Sequence, residues 1–156
     1  MNKQQPEIKL NLFSKDAIRI ESNEMCWKLP PQLIALLYEK EEEKAGEWQM
    51  ALMALSLHYP GNFLRANHLY LNVECSFVQP SFCGVHISRS VYIAALEDKE
   101  SNLLWDTPYN PLFYPLRSDS RCEYLTLHIS DPSGTPIDLK TRNVHFFCTL
   151  LFRKVS

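Results

Sequence analysis

The stretch GEWQMALMALSLHYPGNF, residues 46–63, decides the fold class of this chain. Met, Ala and Leu are strong helix formers, so local propensity favours a helix over residues 49–57. Only thirteen residues, however, separate Gly46 from the Pro60 and Gly61 pair. A strand here would be apolar on both faces, which is typical of a central strand covered twice or packed against another subunit. We favour the strand, because the neighbouring segments have strand patterns and tertiary context overrides local propensity.

Alternation of apolar and polar residues predicts the two faces of that strand and the positions of the other strands. One face would carry Trp48, Met50, Leu52 and Ala54, and the other Gln49, Ala51, Met53, Leu55 and Leu57. Further strands are predicted at IKLNLF (8–13), AIRI (17–20), HLYLNVECSFV (68–78), GVHISRSVYIAAL (84–96), EYLTLHIS (123–130) and NVHFFCTLLFRKV (143–155). The turn signal SDPSGTPI (130–137) predicts that the last two strands pair with each other.

Proline spacing and one helical pattern complete the predicted architecture. Ten prolines divide the chain into runs of about 8 to 15 residues, as in a β-sandwich rather than in βαβ units. The segment PPQLIALLYEKEEEK, residues 30–44, begins with Pro at a permitted first-turn position. Its pattern places Leu33, Leu36, Leu37 and Tyr38 on one helical face, with a solvated acidic end. We therefore expect a single domain, residues 1–156: an all-β antiparallel sandwich of about eight strands with one short helical insertion.

Charge and hydropathy argue against several classes of function. The formal net charge of -2 provides no general basis for neutralising phosphates, so nucleic-acid binding is not expected. We interpret Arg89, Arg117, Arg121 and the Arg153-Lys154 end as scattered surface cations. No apolar run reaches the ~18 residues of a membrane span. The opening MNKQQPEIKL lacks the apolar core of a secretory signal peptide, so secretion by that route is not expected.

Neither the cysteines nor the histidines have the spacing of a reactive site. The five cysteines include no CxxC pair, and we predict buried, reduced thiols at Cys26, Cys75, Cys83, Cys122 and Cys148. The five histidines are isolated in sequence: His58, His68, His86, His128 and His145. No GxSxG elbow or glycine-rich phosphate loop is present. We therefore expect no catalytic residue, metal ligand or cofactor. A cupin-like metal enzyme is kept as an alternative, which bound metal would reveal.

The loop EDKESNLLWDTPYNPLFYPL, residues 97–116, is a candidate interface because it is long and rich in aromatic residues. Trp and Tyr are favoured at interface cores, where they supply large contact area at low entropic cost. We predict interface positions at Trp105, Tyr109, Phe113 and Tyr114. Alternatively, the loop folds over the sandwich as a lid on its own core. Both interpretations hold together if the loop lies between subunits of an oligomer.

Four stretches in this order resemble a known family. They are GEWQMALMALSLHYP (46–60), LYLNVECSFVQPSFCG (69–84), YPLRSDSRCEYLTLHISDPSGTPIDL (114–139) and VHFFCTLLFRKVS (144–156). Together they resemble the penton-type minor capsid proteins of Polinton/Maverick elements and the related adintoviruses. The matching positions are Gly46, Trp48, Leu52, Tyr59, Pro60, Leu69, Tyr70, Glu74, Tyr114, Pro115, Leu116, Asp131, Gly134, Ile137, Phe152, Arg153 and Lys154. This chain resembles a short form, in which GNFLRANH (61–68) joins the first two stretches and FCGVHIS (82–88) replaces a Val-Gly-Asp turn.

The resemblance implies a fold, a function and partners. It implies a single jelly roll and a penton-like minor capsid protein that forms a homopentamer at the fivefold vertices of an icosahedral capsid. The major capsid protein would be its partner, and the virion its location after assembly in the cytoplasm or nucleus of a host cell. The alternative is a jelly-roll module that binds a protein or glycan, either derived from such an element and no longer used for capsid assembly or unrelated to it.

Overall fold

The computed structural model describes residues 7–38, 48–58, 70–83, 86–95, 103–106, 110–117, 123–131, 134–139 and 144–155. The strands are β1 Glu7–Phe13, β2 Arg19–Glu21, β3 Glu24–Lys28, β4 Trp48–His58, β5 Tyr70–Cys75, β6 Ser81–Cys83, β7 His86–Ser88, β8 Ser90–Ala95, β9 Leu103–Asp106, β10 Tyr114–Pro115, β11 Tyr124–Ser130 and β12 His145–Lys154. One α-helix, α1, spans Pro31–Leu37, and a single 3-10 turn spans Ser14–Asp16. Residues 48–58 therefore form the strand β4, and tertiary context has overridden their helix propensity.

Two five-stranded antiparallel sheets make up most of the described chain. The first sheet has the order β1-β12-β4-β10, and β9 also pairs with β4. Because β12 runs along one edge of β4, both β9 and β10 occupy the other edge. The second sheet has the order β2-β3-β11-β5-β8, and β6 and β7 form a separate two-stranded sheet. The predicted all-β antiparallel sandwich with one short helix is confirmed.

The core lies between the two sheets and is built from alternate residues of their strands. The members from β5 and the turn after it, β11 and β12 are Leu71, Val73, Cys75, Phe77, Leu125, Leu127, Ile129, Phe146, Cys148, Leu150 and Phe152. These residues occupy every second position of the strands that alternation predicted at 68–78, 123–130 and 143–155. Burying each large apolar side chain contributes roughly 1.5–3 kcal/mol, so the alternation fixes which face of each strand turns inward.

A β-bulge in β4 corrects the predicted division of that strand into two apolar faces. Leu52 is opposite Leu150 and Ala54 is opposite Thr149, so Met53 is an extra residue without a partner in β12. An extra residue shifts the alternation by one position. The core-facing residues are consequently Met50, Leu52, Leu55 and Leu57. The predicted separation of Met50 and Leu52 from Leu55 and Leu57 is wrong, because all four share one face.

The last two long strands do not pair with each other, contrary to prediction. β11 pairs with β3 and β5, whereas β12 pairs with β1 and β4 in the other sheet. The predicted turn does form: Gly134 has φ +92°, and the Asp131 carboxylate accepts a hydrogen bond from the Thr135 N–H at 2.9 Å. Beyond it, Ile137 and Leu139 are buried in the core. This connection is long enough to carry the chain into the opposite sheet.

The region before β4 differs from prediction at two points. The strand β3 was not predicted, because Met25, Cys26 and Trp27 are all buried and show no alternation. In α1 the buried residues include Ile34, whereas Leu36 is half exposed, so the predicted helical face is rotated. Residues 39–47, which include the acidic run, lie outside the described residues.

Candidate functional site: an open edge of the sandwich

The structure places the predicted interface residues in different parts of the fold. Trp105 lies in β9, where its backbone is opposite Ser56 of β4. Tyr109 lies outside the described residues. Phe113 and Tyr114 are half-buried at the beginning of β10, and Tyr114 packs against the core. The described parts of the aromatic loop therefore belong to the first sheet, where β9 and β10 pair with β4.

Phe113 is held by a side chain from the C-terminal strand. The guanidinium carbon of Arg153 lies 3.5 Å from the centre of the Phe113 ring, a cation–π contact. Arg153 also donates hydrogen bonds from Nε and Nη2 to the Gln49 Oε1, at 3.3 and 3.2 Å. Gln49 and Arg153 are register partners in β4 and β12. The pair fixes the loop before β10 against the first sheet.

A groove opens beside this loop, where the edges of the two sheets approach each other. It has a cavity volume of about 360 Å³. Apolar and aromatic residues from β4, β8 and the loop form most of its lining: Leu52, Val91, Tyr92, Ile93, Leu112 and Tyr114. We call this feature the edge groove.

The edge groove lies where β4 lacks a neighbouring strand. On that edge β10 pairs with residues 49–50 and β9 with residues 55–58, and no described strand pairs with residues 51–54. β8 is the last strand of the second sheet within the described residues. Ala51 and Leu52 in this stretch are buried, so apolar side chains rather than accessible strand backbone characterise the groove.

Two apolar side chains of the edge groove are unusually exposed. Leu112 is 69% exposed and Ile93 is 42% exposed. Exposed apolar patches with polar rims are characteristic of interaction surfaces, and Asn110, Ser81 and Ser90 provide such a rim. The sequence signal for Ile93 was the change to apolar residues on both faces after Val91.

The three histidine side chains that the structure describes, those of His58, His128 and His145, lie at two separate places. The His128 Nε2 lies 2.8 Å from the Glu24 Oε1, and Arg19 approaches the same carboxylate at 3.6 Å. His58 and His145 are register partners with ring centres 6.1 Å apart, although their sequence positions looked isolated. Across the described segments of the chain, no three His, Cys, Asp or Glu side chains group together to hold a metal ion.

Three cysteines are buried free thiols, as predicted: Cys26, Cys75 and Cys148. Burial raises the pKa of the Cys75 thiol to about 12. Burial also raises the pKa of the Cys148 thiol, and the nearby Cys75 thiol reinforces that shift. Such thiols are poor nucleophiles, because the thiolate is the reactive form. The side chain of Cys83 and all of Cys122 lie outside the described part.

Comparison with known proteins adds no family to this description. No protein-family model matches the chain, and no curated protein matches it. Within the described residues, no helix is both long enough and apolar enough to cross a membrane.

Proposed function

We propose that the sandwich is a jelly roll. Eight strands remain when those of two or three residues, β2, β6, β7 and β10, are left out. Numbered along the chain, these eight have the order 1-8-3-6 in the first sheet and 2-7-4-5 in the second. The chain changes sheet at every connection except that between the fourth and fifth strands. This strand order supports a two-sheet, eight-stranded jelly roll.

The proposed function is structural: a penton-like minor capsid subunit that forms a homopentamer at the fivefold vertices of an icosahedral capsid. Jelly rolls are frequent in viral capsid proteins, and the ordered sequence motifs resemble the penton-type family. The edge groove is the observation that carries the proposal, since a ring of subunits would cover its apolar residues in every copy. The major capsid protein would surround the ring in a virion assembled in the cytoplasm or nucleus of a host cell.

The opposite lateral edge of the sandwich offers a complementary surface for such a ring. There β1 and β2 are the outermost strands of their sheets. Ile18, directly before β2, is 59% exposed, and Phe13 in β1 is also exposed. A ring needs two different surfaces on each subunit, one meeting the other on the next copy. The edge groove and the Ile18 edge are suited to these roles because they lie on opposite sides of both sheets.

Sedimentation velocity of single and mixed variants tests this arrangement. Leu112→Asp and Ile18→Asp each place a charge in one of the two surfaces, so we expect each variant alone to be a folded monomer. An equimolar mixture should form a 1:1 dimer, because one intact groove and one intact Ile18 edge remain. Leu36→Asp is the matched control, since Leu36 is half exposed on α1, and it should assemble like the unmodified chain. Continued assembly of Leu112→Asp would exclude the edge groove as the interface.

A protein- or glycan-binding module is the second candidate, favoured by the size of the edge groove. Its volume of about 360 Å³ lies within the range of roughly 300–1,000 Å³ for ligand sites. In that case the unmodified chain would sediment as a monomer at every concentration, and Leu112→Asp would leave its mass unchanged. The same experiment therefore separates the two functions.

A further inference from the structure

A second pocket lies on the second sheet and shares no residue with the edge groove. Its cavity volume is about 220 Å³, and its polar lining consists of Glu74, Ser76, Ser88, Arg89, Arg117 and His128. Glu74 and His128 alternate with buried core residues along β5 and β11, so they lie on the face turned away from the core. Two arginines that looked scattered in the sequence thus line one pocket.

Both arginines are attached through their backbones to the same short stretch, residues 75–77. The Cys75 N–H donates a hydrogen bond to the carbonyl of Arg89 at 3.0 Å. The Arg117 N–H donates to the carbonyl of Phe77 at 2.7 Å. Cys75 and Phe77 are themselves fully buried in the core. The backbones of the two arginines are therefore held beside the buried core.

Arg89 carries a donor that nothing in the described residues satisfies. Its Nε is buried and has no hydrogen-bond partner. An unpaired buried donor on a charged group is costly, and an acceptor from a bound molecule would remove that cost. Glu74 shares the pocket, but its Oε1 accepts a hydrogen bond from the Ser88 Oγ at 2.5 Å. The pocket is therefore lined by an arginine whose guanidinium group has one unsatisfied donor.

We propose that this pocket binds a carboxylate group. Guanidinium groups bind planar carboxylates through paired, charge-assisted hydrogen bonds. Two arginines and one glutamate leave a formal charge of about one positive unit when His128 is neutral. That charge matches a carboxylate monoanion, whereas a phosphate dianion would leave the pocket with a net negative charge. The carboxylate belongs either to a partner polypeptide or to a free small acid, and the two sources are separable by experiment.

Nuclear magnetic resonance of the full-length chain tests the proposal directly. The Arg89 side-chain Nε–H signal, assigned by its loss in Arg89→Gln, is followed during titration with acetate, with inorganic phosphate and with the amidated peptide acetyl-Ala-Glu-Ala. We expect saturable shifts with acetate at lower concentration than with phosphate. Tighter binding of the peptide than of acetate identifies a polypeptide source, and equal binding identifies a small acid.

Variants establish whether the pocket is responsible. Acetate binding, followed by backbone amide signals of β5 and β8, should weaken at least about tenfold in Arg89→Gln and in Arg117→Gln, as the loss of a charge-assisted hydrogen bond implies. Arg89→Lys keeps the charge, so its affinity for acetate should fall less than that of Arg89→Gln. Lys9→Gln, which removes one charge from β1 in the other sheet, is the control and should bind acetate normally. An Arg89 signal that no carboxylate moves, or one that phosphate moves at lower concentration than acetate, overturns the proposal.

Discussion

Cys75 and Cys148 illustrate how burial governs the chemistry of single residues in this chain. Both thiols are fully buried, one in each sheet. Desolvation disfavours the thiolate and raises the pKa of each thiol, that of Cys75 to about 12. Burial of the two thiols also makes the free energy of unfolding depend on pH in the alkaline range, because unfolding returns each thiol to an ordinary pKa near 9.0.

The thiols predict a decline in stability at alkaline pH. Between pH 9 and 12 the folded chain keeps the Cys75 proton that the unfolded chain loses. The free energy of unfolding should therefore be unaffected by Cys75 below pH 9 and fall above it, by about 1.4 kcal/mol per pH unit for this thiol. Urea unfolding from pH 8 to pH 11 measures the slope. Cys75→Ala should be less stable at pH 8 but show a shallower decline; an identical slope would contradict the assignment.

Phe113 and Arg153 show why only part of the candidate site was accessible from sequence. The aromatic content of the loop pointed to Phe113 and Tyr114 directly. The contact of Arg153 with Phe113 and Gln49 depends on the pairing of β12 with β4, which brings together residues far apart in the chain. Arg89 and Arg117 likewise line one pocket because the backbone of each is hydrogen-bonded within residues 75–77.

At the scale of elements, the bulge in β4 is the feature that sequence periodicity could not reveal. Alternation identified β11 and β12 because their apolar residues recur at every second position without interruption. In β4, Met53 breaks that period without a glycine or proline to mark it. β3 was missed for a related reason, since three consecutive buried residues carry no period. Sequence therefore predicted strand existence and fold class better than register and pairing.

The bulge predicts unequal losses of stability for substitutions at two residues of β4 that simple alternation places on the same face. Leu55 is fully buried in the core, whereas Met53 is half-buried at the bulge. Leu55→Ala should lower the free energy of unfolding by about 2–5 kcal/mol, through lost burial and a cavity. Met53→Ala should cost less than about 1 kcal/mol. Urea unfolding of the two variants measures both, and equal losses would contradict the observed register.

At the scale of the whole molecule, the two lateral edges of the sandwich connect the fold with the proposed assembly. One edge carries the groove with Leu112 and Ile93, and the other carries Ile18 beside β2. Repeated contact of one edge with the other turns identical subunits into a ring when the rotation closes. The number of subunits is then set by the angle between the two edges. Five is the number that a penton role requires.

The most direct test of the proposed ring is the subunit count of the unmodified chain by native mass spectrometry, with metal content determined on the same sample. We expect a metal-free species of five chains, in equilibrium with a monomer on dilution. A monomer at every concentration, or a closed dimer or trimer, would contradict the penton-like function. Stoichiometric metal would instead support the cupin-like alternative.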